Sequence, residues 1–309
     1  MTDKVLIMSE TGRPPAEAMT NPRADRVRDV AKLTGRSGRL KRRQFLAEGP
    51  QSVREALRAH RECLAAGGTA VVEALYGTVE SLRKYPELVE AASAPGSRVQ
   101  VRVASELVLS AMTDTVAPQG IVAVCNFVDV PLAEVFAAKP KLIAMLCRVQ
   151  DPGNAGTVLR AADAAGADAV IFSNSSVDVY NPKTVRSTAG SLFHLPVVLG
   201  ADLAEVVAAA KAAGVGILAA DGYGQLNLDL LQDESAARAF DQEIPDSSYE
   251  LERPTLWMFG NEAQGLAGEE KALADHRVAV PVYGAAESLN LGTAATVCLY
   301  ASARAQHRA

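Results

Sequence analysis

Aromatic residues are scarce in this 309-residue chain, at 5%, and there is a single tryptophan, Trp257. That scarcity argues against a β-sandwich and against a single-strand binder built on aromatic stacking platforms. Cysteine is sparse too: Cys63, Cys125, Cys147 and Cys298 lie far apart with no CxxC pair, which excludes a zinc knuckle or a disulfide framework. The histidines His60, His194, His276 and His307 form no HxH or HxxxH pair, so no metal is expected. His194, within Leu192-Phe193-His194-Leu195, reads as a packed and hydrogen-bonded histidine. Apolar runs such as residues 141–147 are far too short to span a bilayer. The first residues lack the apolar core of a signal peptide. A soluble cytoplasmic protein with reduced thiols and no membrane partner is expected.

Nucleotide and hydrolase signatures are missing as well. There is no Walker sequence and no GxSxG. Gly214-Val-Gly216-Ile-Leu-Ala219 matches GxGxxA, but a dinucleotide fingerprint follows a strand and opens a helix. Here a helix precedes it and a strand contains its end, so the match is rejected.

What is present is an ordinary globular composition, 49% apolar and 22% charged, rich in alanine and long enough for about two domains. The net charge is -5, but it is unevenly spread. Residues 21–43 hold nine basic residues, among them Arg39, Lys41, Arg42 and Arg43, against Asp25 and Asp29. A basic cluster on an acidic chain signals phosphate binding. Gly35 and Gly38 make the stretch GRSGRLKRR read as a loop, from which backbone and side chains both reach phosphates.

The periodicity predicts a flexible lead over 1–20 and an α/β domain over 21–128. A helix is expected over 25–33, then a strand over 44–48. A turn at Gly49-Pro50 and a helix capped by Ser52 follow. Strands are expected at 70–76, 99–103 and 120–127, with one helix through Leu82 and Val89 and another from Ser105. A linker or short helix over 129–140 leads to a second α/β domain on a parallel sheet, residues 141–309. Its expected strands are 141–147, 169–173, 195–199, 216–220, 256–260 and 278–280. Its expected helices are 156–166, 182–190, 201–213 and 293–304. An acidic insert, 229–253, reads as a surface loop with a helical piece.

Three segments of the second domain are rich in Gly, Asn, Ser, Arg and Glu, yet sit among apolar strands. They are Asp151-Pro-Gly-Asn-Ala-Gly-Thr-Val-Leu-Arg160, Phe259-Gly-Asn-Glu-Ala-Gln-Gly-Leu266 and Val280-Pro-Val-Tyr-Gly-Ala-Ala-Glu-Ser-Leu-Asn-Leu291. Loops beyond the carboxyl ends of parallel strands are where such proteins bind ligands. In this order and spacing the segments resemble the three motifs of the SpoU (TrmH-type) branch of the SPOUT RNA methyltransferases. Residues 21–127, through the basic start and FLAEGPQSVREAL, resemble the ribosomal-protein-like substrate-binding domain that precedes the catalytic domain in many members.

The resemblance implies a deep trefoil knot in the C-terminal domain, S-adenosylmethionine as cofactor, a homodimer, and methyl transfer to a ribose 2′-hydroxyl of structured RNA. It favours 23S rRNA over tRNA. It places the motif-one arginine on Arg160, which assists at the 2′-hydroxyl, with Asn154 orienting it or the RNA. A guanidinium is essentially never neutral in proteins, so holding the adjacent phosphate and the developing alkoxide is the alternative to acting as base. Glu262 would pair with Arg160. Ser288 and Asn290 form the motif-three polar pair, and Ser288 is also placed to cap the last helix. Ala220, Gly260, Val280 and Leu289 would hold the cofactor, Gly260 by letting the backbone approach the adenine. Arg186 would contact RNA phosphate, and Arg160 of one subunit would serve the cofactor of the other.

Gly292 departs from the pattern. Many relatives carry a small hydroxyl residue or alanine there, and a helical glycine costs about 1 kcal/mol. Close packing at the dimer interface or beside the knot is the expected reason. A catalytically silent RNA-binding or ribosome-assembly factor is the rival reading, and the joint presence of Asn154, Arg160, Glu262, Ser288 and Asn290 argues against it. Base methylation on the same scaffold is disfavoured by the SpoU-type arginine.

Overall fold

Short buried runs, closed by glycine, proline or a capping side chain, set the elements. The computed structural model describes residues 18–115, 118–240 and 248–308. Most of the expected lead lies outside the described residues; within them, Met19 forms a parallel bridge with Ala104. The chain divides into two units, one running through Phe127 and including Tyr180–Phe193, the other holding Val128–Val179 and the chain from His194 onward.

The first unit opens with α1 (Asp25–Ala31), a 3₁₀ turn (Lys32–Thr34) and α2 (Arg36–Arg42), followed by β1 (Gln44–Glu48) and α3 (Gly49–Ala65). It continues through β2 (Val72–Gly77), α4 (Val79–Lys84), α5 (Pro86–Ser93), β3 (Gln100–Val103), α6 (Glu106–Met112) and β4 (Ile121–Asn126). The strands lie in the order β1-β4-β2-β3, antiparallel except for β2 with β3. Val27 and Val30 of α1 and Val108 and Leu109 of α6 pack over Leu46, Tyr76 and Val124 of the sheet. Each such buried aliphatic side chain contributes roughly 1.5–3 kcal/mol.

Four local expectations for this unit are corrected. The stretch expected as a loop at 35–43 is α2, because Gly38 lets it pack tightly on the turn before it. A Cβ at Gly38 would stand 2.0 Å from the Lys32 carbonyl oxygen. Gly49-Pro50 is the first turn of α3 rather than a separate turn, with Pro50 at a position whose N–H needs no partner. Ser52 is therefore a buried helix residue, not a cap. The helix expected through Leu82 and Val89 is two helices, interrupted at Tyr85 by Pro86.

The chain then forms α7 (Leu132–Ala137), β5 (Leu142–Leu146), α8 (Pro152–Ala164) and β6 (Ala169–Ser173), and, within Tyr180–Phe193, α9 (Pro182–Ser187). Next come β7 (Val197–Ala201), α10 (Leu203–Ala212), β8 (Gly216–Ala220), β9 (Leu226–Asn227), α11 (Leu228–Arg238) and β10 (Thr255–Phe259). α12 (Gly268–Leu273), β11 (His276–Ala279) and α13 (Leu291–Gln306) complete the chain. The seven strands of this unit are all parallel, in the order β7-β6-β5-β10-β8-β11-β9. β10 returns to the middle of the sheet, between β5 and β8.

Two segments differ from the division expected at residue 128. Of the two expectations for 129–140 the short helix holds, as α7, and the free linker does not: Val135 is in the core of the second unit, with Val130, Leu132 and Phe136 packed against it. Tyr180–Phe193 packs within the first unit through a ring cluster. The Phe127 and Tyr180 rings stack at 3.9 Å, and Phe45 lies 4.6 Å from Tyr180. The described part of the acidic insert holds α11, whose Arg238 bonds Glu252 at 2.9 Å. In the second unit's core, Trp257 of β10 donates to Ser302 of α13 at 2.9 Å, satisfying both buried groups. No helix among the described residues is long and apolar enough to cross a membrane.

Candidate active site

Because β5, β10, β8 and β11 are parallel neighbours, their carboxyl ends open on one side of the sheet. The loops after β5, β10 and β11 carry the three motif segments, so residues more than a hundred positions apart meet there. Asp151 caps α8 by accepting the Asn154 N–H at 2.7 Å. Asn290 caps α13 in the same way, its Oδ1 taking the Gly292 N–H at 2.9 Å. The cap fixes which end of the Asn290 amide is oxygen, leaving Nδ2 to donate to Asn154 Oδ1 at 3.0 Å. Asn154 Nδ2 then donates to Glu262 Oε1 at 3.3 Å. The Glu262 carboxylate also accepts the backbone N–H groups of Gln150 and Asp151, at 3.3 and 3.2 Å. One chain of polar contacts, Glu262–Asn154–Asn290, thus joins all three loops.

Two corrections follow. Glu262 does not pair with Arg160; its lone pairs are taken by the α8 entry and by Asn154. The cap of the last helix is Asn290 rather than Ser288. Gly292 is also explained within the chain: a Cβ there would lie 2.6 Å from Thr157 Cγ2, so glycine lets α13 lie close on α8.

A second tie, invisible in the sequence, holds the motif-one loop. Arg148 has a left-handed φ of 55°. Its guanidinium forms a two-pronged ion pair with Glu270 of α12, at 2.7 and 2.9 Å. Glu270 Oε2 also accepts the Ala267 N–H at 2.6 Å. The Arg148 guanidinium holds the Glu270 carboxyl below its ordinary value, against burial, which raises it. Asn261 donates to the Arg148 carbonyl at 3.0 Å and accepts the Ala263 N–H at 2.9 Å, shaping the motif-two loop. Gly260 is needed by that loop itself, since a Cβ would come within 2.2 Å of Gly265 and Leu266 backbone atoms. Beside them Cys147 is buried, and burial pushes its thiol up to about 12, which keeps it an inert packing residue.

The remaining expected residues separate by exposure. Arg160 is exposed on α8 and has no ion pair or hydrogen bond among the described residues. Ser288 and Leu289 are exposed on the loop before α13, while Ala220 and Val280 are half-buried at the ends of β8 and β11. Lys41, Arg42 and Arg43 are exposed. Arg42 reaches the Asp29 carbonyl at 3.2 Å, and Arg43 lies 4.9 Å over the Phe127 ring. Arg39 is only 2% exposed and donates to the Leu33 and Thr34 carbonyls at 2.9 and 2.6 Å, so it clamps the 3₁₀ turn instead of facing RNA. Arg186 is likewise held by Glu48, Asp114 and Thr115, at 3.2, 3.0 and 2.9 Å, rather than presented to a phosphate. His194 meets Asp163 at 2.8 Å. Among the described residues no group of three or more His, Cys, Asp or Glu is placed to hold a metal ion.

Residues 141–300 match the SpoU rRNA Methylase family, and residues 24–123 match the MRM3-like substrate binding domain. The chain is 35% identical over 276 residues to a 23S rRNA (guanosine(2553)-2′-O)-methyltransferase of Bacillus subtilis, covering 89% of this chain and 94% of that one. It is 34% identical to a 23S rRNA (uridine(2479)-2′-O)-methyltransferase of Streptomyces viridochromogenes, covering 66% and 67%. The crystal structure of an AdoMet-bound rRNA methyltransferase from Sinorhizobium meliloti superposes with a TM-score of 0.74 at 27% identity, over 94% of this chain and 98% of that one.

Proposed function

This chain belongs to the SpoU rRNA methylase family, and from that premise we propose that its acceptor is 23S rRNA. It is an S-adenosylmethionine-dependent enzyme that methylates ribose 2′-hydroxyls of structured RNA. The observation that carries the site assignment is the Glu262–Asn154–Asn290 chain, which locks the three motif loops to one another at the open end of the sheet.

The donor site is formed by Ala220, Gly260, Val280 and Leu289. Their chemistry fits an adenosine: short or apolar side chains, and a loop, 281–289, whose backbone groups have no backbone partner among the described residues. Such exposed N–H and C=O groups can satisfy an adenine edge and ribose hydroxyls. When bound, the sulfonium supplies an electrophilic methyl carbon.

The acceptor side belongs to Arg160. A permanently charged guanidinium serves as an electrostatic stabiliser of the 2′-oxygen as its charge develops, and as a holder of the neighbouring phosphate. Asn154 and Asn290 set the register between α8 and α13, Glu262 fixes the entry of α8, and Ser288 offers a hydroxyl beside them. The enzyme works as a homodimer in which Arg160 of one subunit serves the donor site of the other. Exposed Val297 and Tyr300 on α13 support this, as does the lack of any partner for Arg160 within its own chain among the described residues. The return of β10 to mid-sheet supports a knotted path. Lys41, Arg42 and Arg43 of the first unit grip RNA phosphates, recognising a folded RNA by shape. A cytoplasmic ribosomal RNA is the matching substrate.

The test is methyl transfer from tritiated donor to unmodified 23S rRNA and, separately, to tRNA. Label on 23S rRNA is expected; label on tRNA alone overturns the 23S assignment.

A further inference from the structure

The acidic insert after β8 has no part in the reaction described above, yet its start is joined to the donor side of the sheet. β9 is the edge strand, paired with β11 through Leu226–Val278 and Asn227–Ala279. β11 runs directly into Val280 and the loop before α13. Asn227 caps α11 by accepting the N–H groups of Asp229 and Leu230, at 2.8 and 3.5 Å. Leu228 and Leu231 are buried, so the first turn of α11 is a fixed base. From the loop, the Tyr283 hydroxyl donates to Asp229 Oδ2. Tyr283 is otherwise 85% exposed, so no packing holds its ring. Among the described residues no backbone hydrogen bond is made between 281 and 289, and there this contact is the loop's polar anchor between Ala279 and Asn290.

We infer that the insert braces the donor loop, with Asp229 and Tyr283 as positioning residues for S-adenosylmethionine. The inference rests on Val280 and Leu289 belonging to the donor site. A loop without internal hydrogen bonds loses backbone entropy when a ligand orders it. An anchor made in the free protein lowers that cost, so it acts on donor affinity and leaves the chemical step alone.

Tyr283→Phe keeps the ring and removes only the hydroxyl. It raises the donor Kd and KM about fivefold, as expected for one net hydrogen bond to a charged group exposed to water. kcat, RNA affinity and Tm stay at their wild-type values. Asp229→Ala has the same effect, the double variant is no worse than either single one, and Asp229→Asn, which keeps an acceptor, restores most of the affinity. An unchanged donor Kd in Tyr283→Phe, additive losses in the double variant, or a loss confined to RNA affinity overturns the brace. Hydrogen exchange of wild-type enzyme with and without S-adenosylmethionine separates the two levels. Protection of 281–289 with unchanged Kd in Tyr283→Phe sinks the brace alone; no protection sinks the donor-site assignment and the brace with it.

Discussion

Asn290 caps α13 with its side-chain oxygen and donates its side-chain nitrogen to Asn154 Oδ1 at 3.0 Å, so one amide both starts a helix and reads the orientation of another amide. Asn154 has its other end on Glu262 at 3.3 Å. Asn154→Asp preserves the shape but sets a second carboxylate against Glu262. Like charges at that distance repel, and the amide donor is lost. Transfer is expected to fall about 100-fold or more, and Asn154→Ala by about 10- to 100-fold. Single-turnover rates check this; an Asp variant as active as wild type would remove the Glu262–Asn154 contact from the account.

Gly292 stands where a Cβ would meet Thr157 Cγ2 at 2.6 Å. Gly292→Ala gains about 1 kcal/mol of helix propensity but overpacks the contact, which costs about 1–3 kcal/mol. A net loss of stability is expected, relieved by Thr157→Ser, which removes the clashing methyl. Thermal unfolding of the two single variants and the double variant reads the coupling. A Gly292→Ala protein more stable than wild type would show that the helices are free to separate.

The Arg148–Glu270 pair gives a pH dependence of known sign. The folded-state value of Glu270 is lowered from 4.5. Its stabilising contribution is therefore complete above about pH 4.5 and is lost as pH falls through the lower folded-state value. The stability difference between wild type and Glu270→Gln should be constant from neutral pH down to that region and shrink below it. A difference that does not change with pH would mean the ion pair contributes nothing as a charge.

Neutralising Lys41, Arg42 and Arg43 together is expected to weaken RNA binding and to lower the slope of log K against log salt by about 2–3. Arg39→Gln is the control. It breaks the bonds to the Leu33 and Thr34 carbonyls and destabilises the first unit by about 1–3 kcal/mol, with little change in slope. An unchanged slope in the triple variant would move the RNA surface elsewhere.

Much of this architecture is legible in the residues. The strands Gln44–Glu48, Ala169–Ser173 and Gly216–Ala220 fall where the apolar runs predict them, because each is a buried run closed by polar or turn residues. The convergence of the three motif loops is legible as well, since loops at the carboxyl ends of parallel strands converge, but their contacts are not: the resemblance pairs Glu262 with Arg160, whereas Glu262 meets Asn154 and Asn154 meets Asn290. What stays hidden depends on distance and on atoms. Arg148 and Glu270 are 122 residues apart with no local pattern to pair them. Gly38 reads as a loop residue, although its lack of a Cβ is what lets a helix pack. Arg39 and Arg186 look like their exposed basic neighbours, and only their bonds, to carbonyls for Arg39 and to carboxylates and a hydroxyl for Arg186, set them apart. The brace at Tyr283 leaves no trace in composition, because both partners are ordinary surface residues.

The most direct test of the account is the single-turnover methyl-transfer rate of Arg160→Ala on 23S rRNA, measured beside its affinity for S-adenosylmethionine. The expected rate is lower by about 100- to 1,000-fold, the usual cost of removing one preorganised electrostatic stabiliser, with donor affinity unchanged. A wild-type rate would contradict it, because nothing else on the exposed face of α8 is then assigned to hold the acceptor.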